Sequence, residues 1–177
     1  MFTLPNLVTF FRLVLIPAIL YLSATDRTEG LIAAALLFAL AAASDWLDGY
    51  LARRLGARSR LGMLMDPLVD KAMILGVLIV FAGRNLLPWW LVLLNVFRES
   101  VVTVIRYRAS SGRQPVGANW MGKTKFCVQV GVLELAYLHL ILTSRGGGLI
   151  GGAETVFWLV LGVTVVSYLF ALSLIHI

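Results

Sequence analysis

Two long apolar runs joined by a charged junction make up residues 31–82, which read LIAAALLFALAAASDWLDGYLARRLGARSRLGMLMDPLVDKAMILGVLIVFA. The first run continues without a break signal into an acidic stretch that ends near Arg53, and the second covers residues 61–82. The basic turn between them is short, so the two segments are expected to be antiparallel neighbours. Strands are disfavoured, because each run is about twice as long as a barrel strand and lacks alternating polarity.

The whole chain shares this apolar character. It has 177 residues, of which 60% are hydrophobic and 14% are charged, and its mean hydropathy is +0.90. A soluble domain carries about 25% charged residues. The composition therefore argues against a soluble globular enzyme, a disordered chain or a nucleic-acid partner. The length predicts one domain, a membrane domain over residues 1–177.

Six apolar segments separated by short polar connectors predict an all-α protein with six membrane-spanning helices, because unpaired backbone amides cannot face lipid. The first segment is predicted to be a retained helix rather than a cleaved signal peptide, since Arg12 lies in its middle. The segments cover residues 4–24, 30–43 with a continuation to 53, 61–82, 86–105, 120–143 and 149–174.

The formal charge of +6 is unevenly distributed. Nine basic residues lie in or beside the second and fourth connectors, and the other three connectors hold one each. Loops rich in Lys and Arg stay in the cytoplasm, so both of these connectors and both termini are predicted to be cytoplasmic. The nine residues are Arg53, Arg54, Arg58, Arg60, Arg106, Arg108, Arg113, Lys123 and Lys125.

Four of the five aspartates lie within residues 45–70. Asp45 and Asp48 are three residues apart at the end of the second segment, and Asp66 and Asp70 are four residues apart at the start of the third. Each spacing puts two carboxylates on one helix face. Because the helices are expected to be neighbours, the two pairs are predicted to converge.

Four converging carboxylates repel one another, and each costs about 2.5–3.5 kcal/mol at the centre of a membrane helix. A divalent cation removes this repulsion, and oxygen ligands without nearby histidine or cysteine favour magnesium, manganese or calcium over zinc. Four carboxylates can hold two such ions. Two alternatives stay open, namely a cation transporter and structural salt bridges at the membrane surface. The basic partners for those bridges would be Arg53, Arg54, Arg58 and Lys71.

Glycines and an arginine accompany the acids. Gly49 and Gly62 would let a ligand approach the backbone closely, although small residues also serve tight helix packing in membranes. Arg53, one turn beyond Asp48, can bind a phosphate through two hydrogen bonds. Beside the acids, these residues favour a phosphate-containing ligand.

Together these residues read Asp45-x2-Asp48-Gly49-x2-Ala52-Arg53-x8-Gly62-x3-Asp66-x3-Asp70. The string resembles the full signature of the CDP-alcohol phosphotransferase family. The resemblance implies a six-helix membrane enzyme, usually a homodimer, with two divalent cations (Mg²⁺ or Mn²⁺), a CDP-linked donor and an alcohol acceptor.

The resemblance also implies residue roles. The four aspartates would hold the metals, and Asp70 would in addition act as the general base. The implied donor-binding residues are Asn6, Thr9, Gly49, Ala52, Arg53, Ser59 and Gly62. Asn6 and Thr9, which come from the first helix, can equally be helix caps.

Three further stretches are similar to a bacterial subgroup of the family, the phosphatidylglycerophosphate synthases. They are LPNLVTFFR at residues 4–12, DWLDGYLAR at 45–53 and WMGKTK at 120–125. This similarity implies CDP-diacylglycerol as donor, glycerol 3-phosphate as acceptor, and a plasma (inner) membrane location with the active site facing the cytoplasm. Other acceptors stay open: phosphatidylglycerol, as in a cardiolipin synthase, inositol phosphate or serine.

A phosphorylated acceptor is a dianion and needs cations. Basic residues on the side of the acids are the candidates, although each can instead serve topology or contact anionic lipids. For Arg98, a pairing with the adjacent Glu99 that is unrelated to substrate is the alternative. The candidates are Arg98, Arg106, Lys123 and Lys125.

Overall fold

The computed structural model describes residues 4–55, 60–110, 120–146 and 152–175, with side chains over 10–44, 68–104, 126–146 and 152–166. Over these residues the chain forms six α-helices of 21 to 28 residues and no strand, which confirms the all-α prediction. The helices are α1 (Leu4–Ala24), α2 (Thr28–Leu55), α3 (Arg60–Gly83), α4 (Trp89–Ser110), α5 (Trp120–Ser144) and α6 (Gly152–Ile175).

The boundary between α3 and α4 differs from the sequence prediction. The fourth helix begins at Trp89 and not at residue 86. Asn85 adopts a left-handed φ of 57°, and Pro88 disfavours a helical conformation of the residue before it. Leu86 and Leu87 are therefore buried in the turn instead of forming the first turn of α4.

The helices alternate in direction, as side-chain contacts at both ends of the bundle show. Arg12 of α1 contacts Asp70 of α3, and farther along both helices Arg84, the residue that follows α3, donates to the backbone oxygen of Ser23 at 3.2 Å. Helices α1 and α3 are therefore parallel. We call the end of the bundle where Arg12 contacts Asp70 the Asp70 end, and the end where Arg84 contacts Ser23 the Arg84 end.

The other helices fit the same alternation. At the Arg84 end, Thr28 at the start of α2 lies 2.9 Å from Ser144 at the end of α5, measured between the hydroxyl oxygens. Helix α2 therefore runs toward the Asp70 end with the half that carries Asp45 and Asp48. The helix ends that flank the second and fourth connectors lie at the Asp70 end as well.

Tyr137 of α5 lies at the centre of the core. Its ring is fully buried and packs against Phe38 of α2 at 5.9 Å and Phe81 of α3 at 4.9 Å between centroids. Its hydroxyl lies 2.6 Å from the hydroxyl of Ser23. Because Ser23 donates its proton to the backbone oxygen of Ile19, Tyr137 is the donor between the two. One side chain thus connects four helices.

Helices α1 and α3 approach closely at Gly76. A Cβ at this position would lie 2.9 Å from Cδ2 of Leu20, closer than real Cβ contacts. Small residues allow helix backbones to come this near in membrane proteins. Gly76 therefore sets the spacing between the two helices that meet again at Arg12 and Asp70.

Among the described side chains, many large apolar ones are exposed on the outer surface of the bundle, whereas Arg12 and Arg98 are buried. Large exposed apolar surfaces mark membrane or protein contacts. Within the described residues one helix, α5, contains a stretch long and apolar enough to cross a bilayer, over Phe126–Ser144. Shorter apolar stretches cover Phe10–Ala24, Thr28–Ser44 and Gly152–Val166. The crossing of a membrane by all six helices stays a prediction.

We predict that Tyr137→Phe lowers the free energy of unfolding by about 1 kcal/mol, because it removes one buried hydrogen bond. Ser23 keeps its bond to Ile19, so no donor is left unpaired. Thermal unfolding in detergent measures the effect. Tyr21→Phe is the matched control, since Tyr21 is 74% exposed; equal shifts for the two variants would contradict the role of the buried hydroxyl.

Candidate active site

Asp70 of α3 is paired with an arginine from α1. Nη1 of Arg12 donates to Oδ1 of Asp70 at 2.6 Å, and Arg12 is 1% exposed while the Asp70 side chain is 23% exposed. A hydrogen bond between two charged groups is roughly twice as strong as one between neutral groups. The contact therefore joins two helices at a predicted site residue and leaves part of the Asp70 carboxylate accessible.

A second set of charged side chains, Lys71, Arg98 and Glu99, lies beside the Arg12–Asp70 pair and connects α3 with α4. Glu99 accepts a hydrogen bond from Nη1 of Arg98, and its other carboxylate oxygen lies 3.8 Å from Nζ of Lys71. Lys71 also donates to the hydroxyl of Thr103. Arg98 is buried. The pairing of Arg98 with Glu99, which the sequence left open, is present.

The net charge of these residues is positive. Arg12, Lys71 and Arg98 supply three positive charges, and Asp70 and Glu99 supply two negative ones. Lys71 directly follows Asp70 in α3. The Arg12–Asp70 pair and the contacts of Lys71 are therefore neighbours at the same end of the bundle. Among these five side chains there is an excess of one positive charge.

Apart from Ser59, the other predicted site residues fall in helices, but their side chains lie outside the described residues. Asp45, Asp48, Gly49, Ala52 and Arg53 belong to α2, and Gly62 and Asp66 belong to α3. The convergence of the two acid pairs therefore stays a prediction. Both pairs do lie on continuous helix, as their spacing requires. The remaining residues of this kind are Asn6 and Thr9 in α1, Arg106 in α4 and Lys123 and Lys125 in α5, while Ser59 lies outside the described backbone.

A cluster of three or more histidine, cysteine or acidic side chains is not found within the described side chains. That part of the chain includes Asp70 but not the side chains of Asp45, Asp48 and Asp66. The proposed metal site is thus represented by one of its four carboxylates.

Sequence reasoning did not assign Arg12, Lys71 or Glu99 to the site. Arg12 is the only charged residue in the first apolar segment, and a charge within such a segment is by itself a signal of function or pairing. The sequence does not show which residue pairs with Arg12, because Arg12 and Asp70 are 58 positions apart.

The sequence model that describes CDP-alcohol phosphatidyltransferases matches residues 2–169. The chain belongs to this family. A CDP-diacylglycerol–glycerol-3-phosphate 3-phosphatidyltransferase from Bacillus subtilis is 33% identical over 151 residues, which cover 78% of each chain. The protein of the same name from Escherichia coli is 35% identical over 142 residues, which cover 77% of this chain and 76% of the relative.

Membership of the CDP-alcohol phosphatidyltransferase family confirms the resemblance found in the sequence and shows that the protein is a transferase of phospholipid synthesis. Every site residue predicted from the sequence, from Asn6 to Lys125, lies within the matched range. Arg12, Lys71 and Glu99 lie within it as well.

We predict that Glu99→Ala lowers the free energy of unfolding by about 1.5–3 kcal/mol, the range for hydrogen bonds to charged groups. The buried Arg98 loses its carboxylate partner in this variant. Thermal unfolding in detergent measures the change. Asp26→Ala is the control, because Asp26 pairs with Arg84 at 3.2 Å but is 98% exposed, and such surface pairs contribute little. A Glu99→Ala protein as stable as Asp26→Ala would contradict the prediction.

Proposed function

We propose that the protein transfers the phosphatidyl group of CDP-diacylglycerol to glycerol 3-phosphate, giving phosphatidylglycerophosphate and CMP. The observation that carries this proposal is the similarity, over more than three quarters of the chain, to two bacterial enzymes named for this reaction. The signature of two acid pairs with Gly49 and Arg53 lies within the matched range and supports a nucleotide-linked donor.

The proposed metal ligands are Asp45, Asp48, Asp66 and Asp70. This donor set fits two Mg²⁺ or Mn²⁺ ions, because it consists of carboxylate oxygens alone, and the 23% exposure of Asp70 leaves that carboxylate within reach of a ligand. When bound, the ions would neutralise the donor pyrophosphate and stabilise the charge that develops on the leaving CMP.

Asp70 is the proposed general base. Its carboxylate accepts the proton of the acceptor hydroxyl while the hydroxyl oxygen attacks the phosphorus that bears the diacylglycerol, and the bond from this phosphorus to CMP breaks. The donor would be held by small residues that leave room for it and by polar residues around its phosphates. These are Asn6, Thr9, Gly49, Ala52, Arg53, Ser59 and Gly62.

The phosphate of the acceptor would be bound by cations at the Asp70 end. Arg98 is held in place by Glu99, and a guanidinium with a fixed orientation suits the recognition of a phosphate. Lys71, whose ammonium also lies near the Glu99 carboxylate, adds a second positive charge beside Arg98. The remaining acceptor-binding candidates are Arg106, Lys123 and Lys125.

We place the protein in the plasma (inner) membrane as a single six-span domain whose active site faces the cytoplasm, and we propose that it works as a homodimer. The apolar outer surface and the buried arginines support a lipid environment. The basic second and fourth connectors are flanked by helix ends at the Asp70 end, and basic loops stay in the cytoplasm. Substrate phosphates and lipid tails would then meet at the inner interface.

An acceptor screen tests the function. Purified protein in lipid nanodiscs receives CDP-diacylglycerol, magnesium and one of glycerol 3-phosphate, phosphatidylglycerol, inositol phosphate or serine, and CMP release is measured. We expect release with glycerol 3-phosphate and its loss on addition of EDTA. Release with another acceptor alone would correct the substrate. No release with any acceptor, together with metal flux into liposomes, would identify a transporter.

We predict that Asp70→Asn lowers kcat by at least about 100-fold, because loss of a general base typically costs 10²–10⁴-fold. The variant keeps the size and a hydrogen-bond acceptor of the side chain, and size-exclusion chromatography checks its fold. Asp26→Asn at the Arg84 end is the matched control and should retain wild-type turnover. Wild-type turnover of Asp70→Asn would remove Asp70 from the chemistry.

A further inference from the structure

Helices α1 and α3 are joined by an arginine at each end of their interface. At the Asp70 end, Arg12 of α1 donates to the Asp70 carboxylate at 2.6 Å. At the Arg84 end, Arg84, directly after α3, donates to the backbone oxygens of Ser23 and Thr25 at 3.2 and 2.8 Å. In the described part of the chain, Arg12 thus bridges through a carboxylate and Arg84 through backbone oxygens, and of these two arginines Arg12 is the one that contacts a proposed catalytic group.

A bridge between two helices does not by itself require a buried arginine. Replacing a buried ion pair by apolar side chains of similar volume is often neutral or even stabilising. Leu20 against Gly76 already packs the same two helices closely. The Arg12 guanidinium, which is 1% exposed, therefore needs an explanation beyond holding α1 to α3.

We infer from the geometry that Arg12 is a positioning residue that fixes the orientation of the Asp70 carboxylate for proton transfer. This inference rests on the proposed function, in which Asp70 is the base. A planar guanidinium presents its donors in a fixed arrangement, whereas an ammonium is a point charge on a flexible stem. With Oδ1 held at 2.6 Å, the rotation of the carboxylate about its own bond is restricted.

The burial of Arg12 makes this restriction effective. A fully enclosed side chain keeps few alternative rotamers, so the guanidinium transmits the rigidity of α1 to the carboxylate of α3. The neighbouring Lys71 points to a different partner, since its ammonium lies by Glu99 and Thr103 of α4. Asp70 and Lys71 are thus oriented by α1 and by α4, respectively.

Kinetics of Arg12→Lys and Arg12→Gln test the inference. We expect both to lower kcat by roughly 10- to 100-fold, because a displacement of about 1 Å in a reacting group can cost 10²-fold. The KM for CDP-diacylglycerol and for glycerol 3-phosphate should change by less than about twofold, since Arg12 orients the base and binds neither substrate. Arg12→Lys is the decisive variant because it keeps the charge and loses the planar geometry. Only monodisperse protein from size-exclusion chromatography is assayed, so that an unfolded fraction does not lower kcat.

Arg84→Gln is the matched control. It removes the corresponding bridge between α1 and α3 at the other end, and we expect wild-type kcat even where its melting temperature falls. Equal loss of kcat in Arg84→Gln and Arg12→Gln would show that the helix bridge alone matters and would overturn the inference. A raised KM for CDP-diacylglycerol with unchanged kcat in Arg12→Lys would also overturn it, because Arg12 would then be a donor ligand.

A second readout does not depend on activity. In a double-mutant cycle of Arg12→Gln with Asp70→Asn, the two shifts in melting temperature should be strongly non-additive, because the side chains are in contact. The cycle of Arg84→Gln with Asp70→Asn should be additive. Additive shifts in both cycles would show that Arg12 does not hold Asp70 and would overturn the inference.

The outcomes also separate the inference from the proposed function. If the wild-type protein releases no CMP with any acceptor, the proposed function is wrong and the inference falls with it. If the wild type is active and Arg12→Lys has wild-type kcat, the function stands and only the role of Arg12 is overturned.

Discussion

An arginine inside a bundle of apolar helices must find its partner within the protein, because neither lipid tails nor apolar side chains can compensate its charge. In this protein Arg12 pairs with Asp70, at 2.6 Å. The contact determines which faces of α1 and α3 meet, and together with the contacts of Arg84 it makes the two helices parallel. The Arg12–Asp70 pair thereby brings α1 to the Asp70 end of the site.

The two ends of the bundle differ in what their polar residues do. At the Arg84 end, arginine and hydroxyl groups bond mainly to backbone oxygens and to each other. At the Asp70 end, Arg12, Lys71 and Arg98 pair with carboxylates next to the basic connectors. In the function proposed above, this asymmetry would separate a substrate-binding end from an end that serves stability.

Much of the fold could be predicted from the sequence, since helix length in an apolar chain follows from hydropathy. Helix α1 has the predicted bounds, and both acid pairs lie on continuous helix. The predicted start of α4 was wrong, because Leu86 and Leu87 are as apolar as the residues of the helices but precede Pro88 and lie in a turn. The signature predicted the family, but the pairing of Arg12 with Asp70 could not be predicted. That pairing depends on how α1 packs on α3 at Gly76, and a single sequence does not encode such long-range contacts in any local pattern.

The position of Arg12 early in the chain has a consequence for biogenesis. Helix α1 leaves the ribosome before α3, and in the membrane topology proposed above an arginine in a lone helix costs up to about 2.5–3.5 kcal/mol at the bilayer centre. Asp70 is synthesised 58 residues later. Until then α1 carries an uncompensated charge, which favours its retention near the translocation channel or a tilted, shallow position. In that topology α1 would settle only after α3 is made, because a residue of α3 supplies the compensating charge.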